Sequence, residues 1–461
     1  MNCLVVSIEG LATSLCGVYG SSLAKTPCLD ELAMHGEVLD QCFLDSLDTL
    51  SQLNSLWTQR HHLQTELAQS QRDSKVSSGA AVPSSAAATI WRQAKECGIP
   101  NCLITDSAAV AEHAEAHGCQ EAILIQPPIA TQPAEDVEDC SVMALFVTAA
   151  EIMAQRTGFV WVHSTGLHAA WDSPIALRNA FVDPEDPDPP TAVDVPNFAV
   201  LPDTDPDAVV GWGQVAAAQA SVVDQGLATL LASAAASSAT WSKVLIGLGG
   251  VALGEHGYVG SLIPPSAAPL ESPPALFGEV LACVAVLTKH ESSRELNSAP
   301  GQRRPEIFQL PDLGASLRTL AGLDSETQDD SRPGIWGRDI GGLGLPQSPG
   351  DWPTELAIAC TTHEDRLWLR CPAWSIQTPF STEHGIGVVD PNSLPTMAEA
   401  TANSQLYVKP EDRWEVNDVA DRRADIVDLL RAHGTAVLDA LRAGKREFNF
   451  KLEEELANLL R

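Results

Sequence analysis

The chain has 461 residues, 44% hydrophobic and 19% charged, enough for one large core and a smaller unit. Its 28 basic and 60 acidic residues give a formal net charge of −32, a surface that repels nucleic acid and anionic membrane and so excludes both as expected partners. The start lacks a basic stretch and a small-residue cleavage site, and no apolar run reads as a membrane span, so a cytoplasmic location is expected.

Residues 3–8, Cys-Leu-Val-Val-Ser-Ile, are almost wholly apolar and predict a central strand buried on both faces. The run ends at Glu9-Gly10, a carboxylate at the carboxyl tip of the strand, where open α/β sheets bind ligands. A Gly- and Ser-rich loop leads to Thr26-Pro-Cys-Leu-Asp-Glu-Leu-Ala33, whose early Pro and acids predict a helix start. Residues 36–44 predict a second strand, and 64–88, rich in Ser, Ala and Gln, a surface loop or loose helix. A short helix over 90–97 and a strand over 101–106, ending in Asp106, follow. His113 and His117 lie four apart on a predicted helix over 107–118, a spacing that suits a metal. No third ligand is near and the flanks are Ala and Glu, so the pair reads as a solvated helix face.

Residues 143–155 predict a helix and 158–163 a buried strand running into Ser164-Thr-Gly-Leu-His168. Residues 181–206 hold Asp-Pro-Glu-Asp-Pro-Asp-Pro-Pro, an extended acidic excursion. A long amphipathic helix is expected over 215–233 and a strand over 241–248. The Gly/Pro-rich stretch 334–353 divides an α/β unit over 1–342 from a small α+β unit over 343–461. In the latter, 356–362, 366–378 and 405–409 read as strands, and 421–441 as a helix followed by a charged helix to Arg461. The whole predicts an α/β fold: a doubly wound, mostly parallel central sheet with a smaller C-terminal α+β domain. Eleven cysteines, an odd number without a tight framework, read as buried free thiols in a reducing cytosol, with Cys3, Cys283 and Cys360 inside predicted strands.

Five stretches carry a resemblance: Val5-Val-Ser-Ile-Glu-Gly-Leu11 with Gly17-Val-Tyr-Gly20 and residues 26–33; Ser55-Leu-Trp-Thr-Gln-Arg-His61; Gly249-Gly-Val-Ala-Leu-Gly-Glu-His-Gly257; Arg370-Cys-Pro-Ala-Trp-Ser375; and Leu406-Tyr through Glu415-Val-Asn-Asp-Val-Ala420. In this order they resemble the sulfatase family of the alkaline phosphatase superfamily, over nearly the whole chain, and residues 276–287 and 307–323 resemble a strand and a helix of that family. The resemblance implies an alkaline phosphatase-like fold and sulfuric ester hydrolysis assisted by calcium, with a nucleophile made by oxidising a cysteine.

The positions that this chemistry needs have changed. The four metal ligands fall on Glu9, Gly10, Leu248 and Gly249, the cysteine on Thr49, the arginine on Leu53 and the lysine on Ser375. His168 matches the histidine that contacts the ester, and Asp224 stands where the family usually has an aspartate. Glu9 is therefore a vestigial metal position, and Thr49 and His168 are vestigial catalytic positions. Taken without the resemblance, Glu9 serves as well to accept backbone N–H groups and Thr49 to close a turn. The expectation is an inactive sulfatase-like pseudoenzyme without a cofactor, with a binding or scaffold role toward a protein or a small ligand. The alternatives are an active sulfuric ester hydrolase with a divergent motif and a phosphodiesterase or phosphatase with Thr49 as nucleophile. Glu9, Thr49, His168, Leu248 and Gly249 are expected to converge at the carboxyl end of the central strands.

Overall fold

The computed structural model describes residues 2–64, 89–237, 239–261, 276–289, 301–323, 340, 356–361, 366–379 and 404–442. In chain order the strands are β1 (Asn2–Glu9), β2 (Glu37–Phe43), β3 (Asn101–Thr105), β4 (Ala122–Leu124), β5 (Phe159–Ser164), β6 (Asn197–Ala199), β7 (Trp241–Leu248), β8 (Ala252–Leu253), β9 (Tyr258–Gly260), β10 (Ala285–Thr288), β11 (Gln302–Gln309), β12 (Ala357–Thr361), β13 (Arg366–Cys371), β14 (Trp374–Pro379) and β15 (Gln405–Val408). The principal helices are α1 (Pro27–Met34), α2 (Thr49–Thr58), α3 (Ile90–Glu96), α4 (Ala108–Ala116), α5 (Met143–Met153), α6 (Pro206–Ala236), α7 (Leu310–Leu320) and α8 (Ala424–Arg442).

The main sheet has eight strands in the order β11-β2-β10-β7-β1-β5-β3-β4. Strand β10 runs antiparallel to both of its neighbours, and the other pairings are parallel. Alternation along β1 sends Leu4, Val6 and Ile8 into one core and Cys3 and Val5 into the other. Helices α1, α5 and α6 cover the first face, and α2, α3, α4 and α7 the second. Two buried faces are why β1 and β5 read as nearly unbroken apolar runs.

A second sheet, β12-β13-β14-β15, is antiparallel throughout and packs on α8 through Leu367, Leu369, Ile426, Val427 and Leu430. Gln309, at the end of β11, joins the two sheets: its Nε2 donates to the Ile358 carbonyl (2.9 Å) and its Oε1 accepts from the Ile358 N–H (3.2 Å). His61 Nε2 donates to the same carbonyl at 3.0 Å. Arg370 donates to Gln41 Oε1 at 2.6 Å.

Several expectations are corrected. Residues 276–287 hold a helical turn, Gly278–Leu281, and only then β10, so Cys283 lies between the two. The helix expected over 307–323 begins at Leu310, because β11 occupies the residues before it. The stretch 366–378 is two strands with a turn at Pro372-Ala373. Helix α6 has 31 residues and is long and apolar enough, by length and composition, to cross a membrane; 72% of its most apolar window is buried inside the protein, which makes it a core helix. His113 and His117 do not form a solvated face, since both rings lie against Trp57, at 5.3 and 5.7 Å. The proposed boundary at 342, nearly all of the 64–88 loop and the terminal charged helix fall outside the described residues.

Candidate functional site

Glu9 ends β1 at the carboxyl edge of the main sheet, between β5 and β7. Its side chain is nearly buried and both of its oxygens are taken. Oε1 lies 3.0 Å from His163 Nε2, and Oε2 lies 3.0 Å from His168 Nδ1. Burial alone would raise the Glu9 pKa, but the two histidine hydrogen bonds outweigh it and hold the carboxyl at about 2, below its ordinary 4.5.

Parallel pairing places Ser7 beside His163. Trp161 Nε1 donates to Ser7 Oγ at 2.8 Å, and Ser7 Oγ lies 2.9 Å from His163 Nδ1. The Ser7 oxygen thus accepts from Trp161 and turns its own proton toward His163, which leaves His163 Nε2–H for Glu9. Asp106, at the tip of β3, accepts from the Thr165 N–H (2.8 Å) and hydroxyl (3.0 Å) and fixes the loop that carries His168. Burial raises the Asp106 pKa.

Gly10 has φ +72°, and a Cβ there would lie 2.8 Å from His168 Cδ2 and 3.0 Å from Leu167 Cβ. Gly249 has φ +77°, with Leu44 Cδ1 at 3.3 Å from the equivalent position. Leu248 pairs with Glu9 across β1 and β7, and with Leu44 and Leu53 it belongs to one buried apolar cluster. Glu9, His168, Leu248 and Gly249 thus share one corner of the sheet.

Thr49 opens α2 behind the cap residue Asp48, whose side chain accepts from Ser51 N. Among the described residues it makes no hydrogen bond to Glu9 or His168. Ser375 is fully buried on β14, and among the described residues its hydroxyl has no hydrogen-bond partner. Asp224 accepts from the N–H groups of Cys28 and Leu29, each at 2.9 Å, and so caps α1.

A calcium ion takes six to eight oxygens at roughly 2.3–2.6 Å. The residues present do not fit one. Glu9 spends both oxygens on histidines, Gly10 and Gly249 carry no side chain, and Leu248 belongs to the core. Among the described residues, no group of three His, Cys, Asp or Glu side chains is placed to hold a metal ion.

With this geometry in place, the likeness to known proteins is informative. Over 98% of its length the chain matches the structure of a phosphonate monoester hydrolase of Agrobacterium radiobacter, covering 98% of that chain at a TM-score of 0.64 and 13% identity. The chain has the sulfatase fold. A putative sulfatase from Bacteroides thetaiotaomicron matches 96% of this chain and 92% of its own, at a TM-score of 0.61 and 14% identity. A protein solved with its substrate, D-glucosamine-2-N,6-O-disulfate, matches 98% of this chain and 99% of its own, at a TM-score of 0.64 and 11% identity. No protein-family model and no curated protein matches the sequence. On this sulfatase-fold scaffold, the sequence had pointed to Glu9 and His168. It had noted Asp106 only as the acid that ends a strand and had not singled out His163 or Ser7, whose signal was a polar residue within an apolar strand.

Proposed function

We propose that this sulfatase-fold chain is a pseudoenzyme toward sulfate esters, with a binding or scaffold role. One observation carries the reading. Both oxygens of the carboxylate at the metal position are occupied by protein hydrogen bonds, and the ring of His168 fills the space that a side chain on Gly10 would need. Hydrolysis of a sulfate ester needs preorganised positive charge at the sulfate oxygens, and this corner supplies hydrogen-bonded histidines and leucines instead. Thr49 lacks the thiol from which the family's aldehyde is made.

The test is purified protein with excess calcium and a generic aryl sulfate, beside Thr49→Ala. No turnover by either, and no heat on titrating calcium, is expected. Turnover by the wild type that Thr49→Ala abolishes would sink the reading.

A further inference from the structure

The stretch Leu253-Gly-Glu-His-Gly257 is intact although the reactive positions are not, and its histidine lies between the two sheets rather than near Glu9. His256 Nδ1 is 2.5 Å from Glu279 Oε1, and Nε2 is 3.0 Å from the Glu415 carbonyl oxygen. The ring stacks on Phe277 with centroids 3.5 Å apart and planes 5° apart, and Phe277 in turn meets Tyr407 of β15 at 6.4 Å. Glu415 reaches back: its Oε2 accepts from Gly278 N–H at 2.9 Å, while its Oε1 pairs with Lys409 Nζ at 3.3 Å. Glu415 also has φ +56°, a left-handed conformation that a non-glycine residue keeps only where its surroundings enforce it.

The partners of the ring fix its protons. A carbonyl oxygen only accepts, so Nε2 carries hydrogen. Nδ1 faces a carboxyl oxygen of Glu279 at 2.5 Å, a distance at which two lone pairs repel, so one proton lies between them. The charged groups around the ring are mostly acids: Glu279, Glu415 and, close to Glu279, Glu255. Lys409, the nearest cation, is paired with Glu415, and Arg370 lies beyond it.

We propose that His256 is an imidazolium clamped between Glu279 and the Glu415 carbonyl, and that it fastens the 409–419 segment of the C-terminal sheet to the 277–281 turn of the large one. Raising the pH removes the proton and loosens this docking. The electrostatics run the same way. Burial lowers the His256 pKa, but Glu279 and Glu415 outweigh it and the net shift is upward. The folded protein thus binds the His256 proton more tightly than the unfolded chain. The stabilisation is therefore complete below the ordinary histidine value and is lost as pH rises through the raised one.

Amide hydrogen exchange of residues 409–419 in the full-length protein, corrected for the intrinsic pH dependence of exchange, tests this. Protection should fall about tenfold between about pH 6 and pH 9 in the wild type. In Glu279→Gln the side-chain amide donates to a neutral Nδ1, so the step should vanish. A wild type with no step, or a Glu279→Gln variant with the same step, overturns the proposal. Should Glu279→Gln not fold, the ring nitrogens of His256 in the wild type decide by nuclear magnetic resonance. Both protonated just above the ordinary histidine value of about 6.5 is the expected result, and a neutral ring there overturns the clamp.

Discussion

The ring of His168 occupies the space that a side chain on Gly10 would need. A Cβ at Gly10 would come within 2.8 Å of His168 Cδ2, while His168 Nδ1 is held 3.0 Å from Glu9 Oε2. The two changes at the tip of β1 are therefore one arrangement. Glu9 reaches both histidines, and the absence of a side chain at Gly10 leaves room for one of them.

Gly10→Ala and Gly10→Asp should each lose about 1–3 kcal/mol, from the positive φ and from displacement of His168. Denaturant midpoints measure the loss, and calorimetry should show no calcium binding by Gly10→Asp. A Gly10→Asp variant as stable as the wild type would mean that the His168 ring moves aside freely.

Glu9 sets an acid limb of stability. Its folded pKa of about 2 lies below the ordinary 4.5, so its contribution is complete above pH 4.5 and is lost as pH falls toward 2. The difference corresponds to about 3 kcal/mol. Denaturation of the wild type and of Glu9→Gln across this range should show a stability gap that closes in acid. A gap that stays constant down to the acid end would contradict the hydrogen-bonded carboxylate.

Restoring an acid at Leu248 should unfold this corner before it restores any chemistry. Leu248 is 1% exposed among Leu44, Leu53 and Ile246. An unpaired carboxylate there costs about 3–5 kcal/mol. Thermal melting of Leu248→Asp reads the effect, and a near-native midpoint would show that the site is wetter than its packing.

The junction at Ile358 is unequal in its parts. His61→Ala should cost only about 1 kcal/mol, because Gln309 still donates to the Ile358 carbonyl. Gln309→Leu removes that donor and also strands the Ile358 N–H, and should cost about 2–3 kcal/mol. Equal losses in chemical denaturation would mean that the bonds do not share one carbonyl as drawn.

How far the sequence reveals this protein depends on which faces are buried. Strands β1, β5 and β7 were legible because burial on both faces leaves a run of apolar residues. Strand β11 was not. It is an edge strand containing Arg303, Arg304 and Pro305, with a bulge between Arg304 and Ile307, and edges are where proline and charge are tolerated. The turn before β10 was read as strand from the resemblance, and its short apolar run could not correct that, having the same composition in either form. At the site, Glu9 and His168 were legible from flanking motifs. The bond between Glu9 and His163 spans 154 residues of sequence, and no local spacing encodes it; only the pairing of Ser7 with His163 brings the two together.

The place of β10 in the main sheet also bears on how the chain is made. Strand β2 emerges early, but its sheet neighbours are β10 and β11, whose residues follow about 240 positions later. At translation rates of about 5–20 residues per second, Glu37–Phe43 waits roughly 12–50 s for a partner. During that interval a nascent chain on the ribosome carries an unpaired strand with Val38, Leu39 and Phe43, residues that end up in the core. That segment is where a chaperone would find its hold, and where slowed synthesis would expose this protein to aggregation.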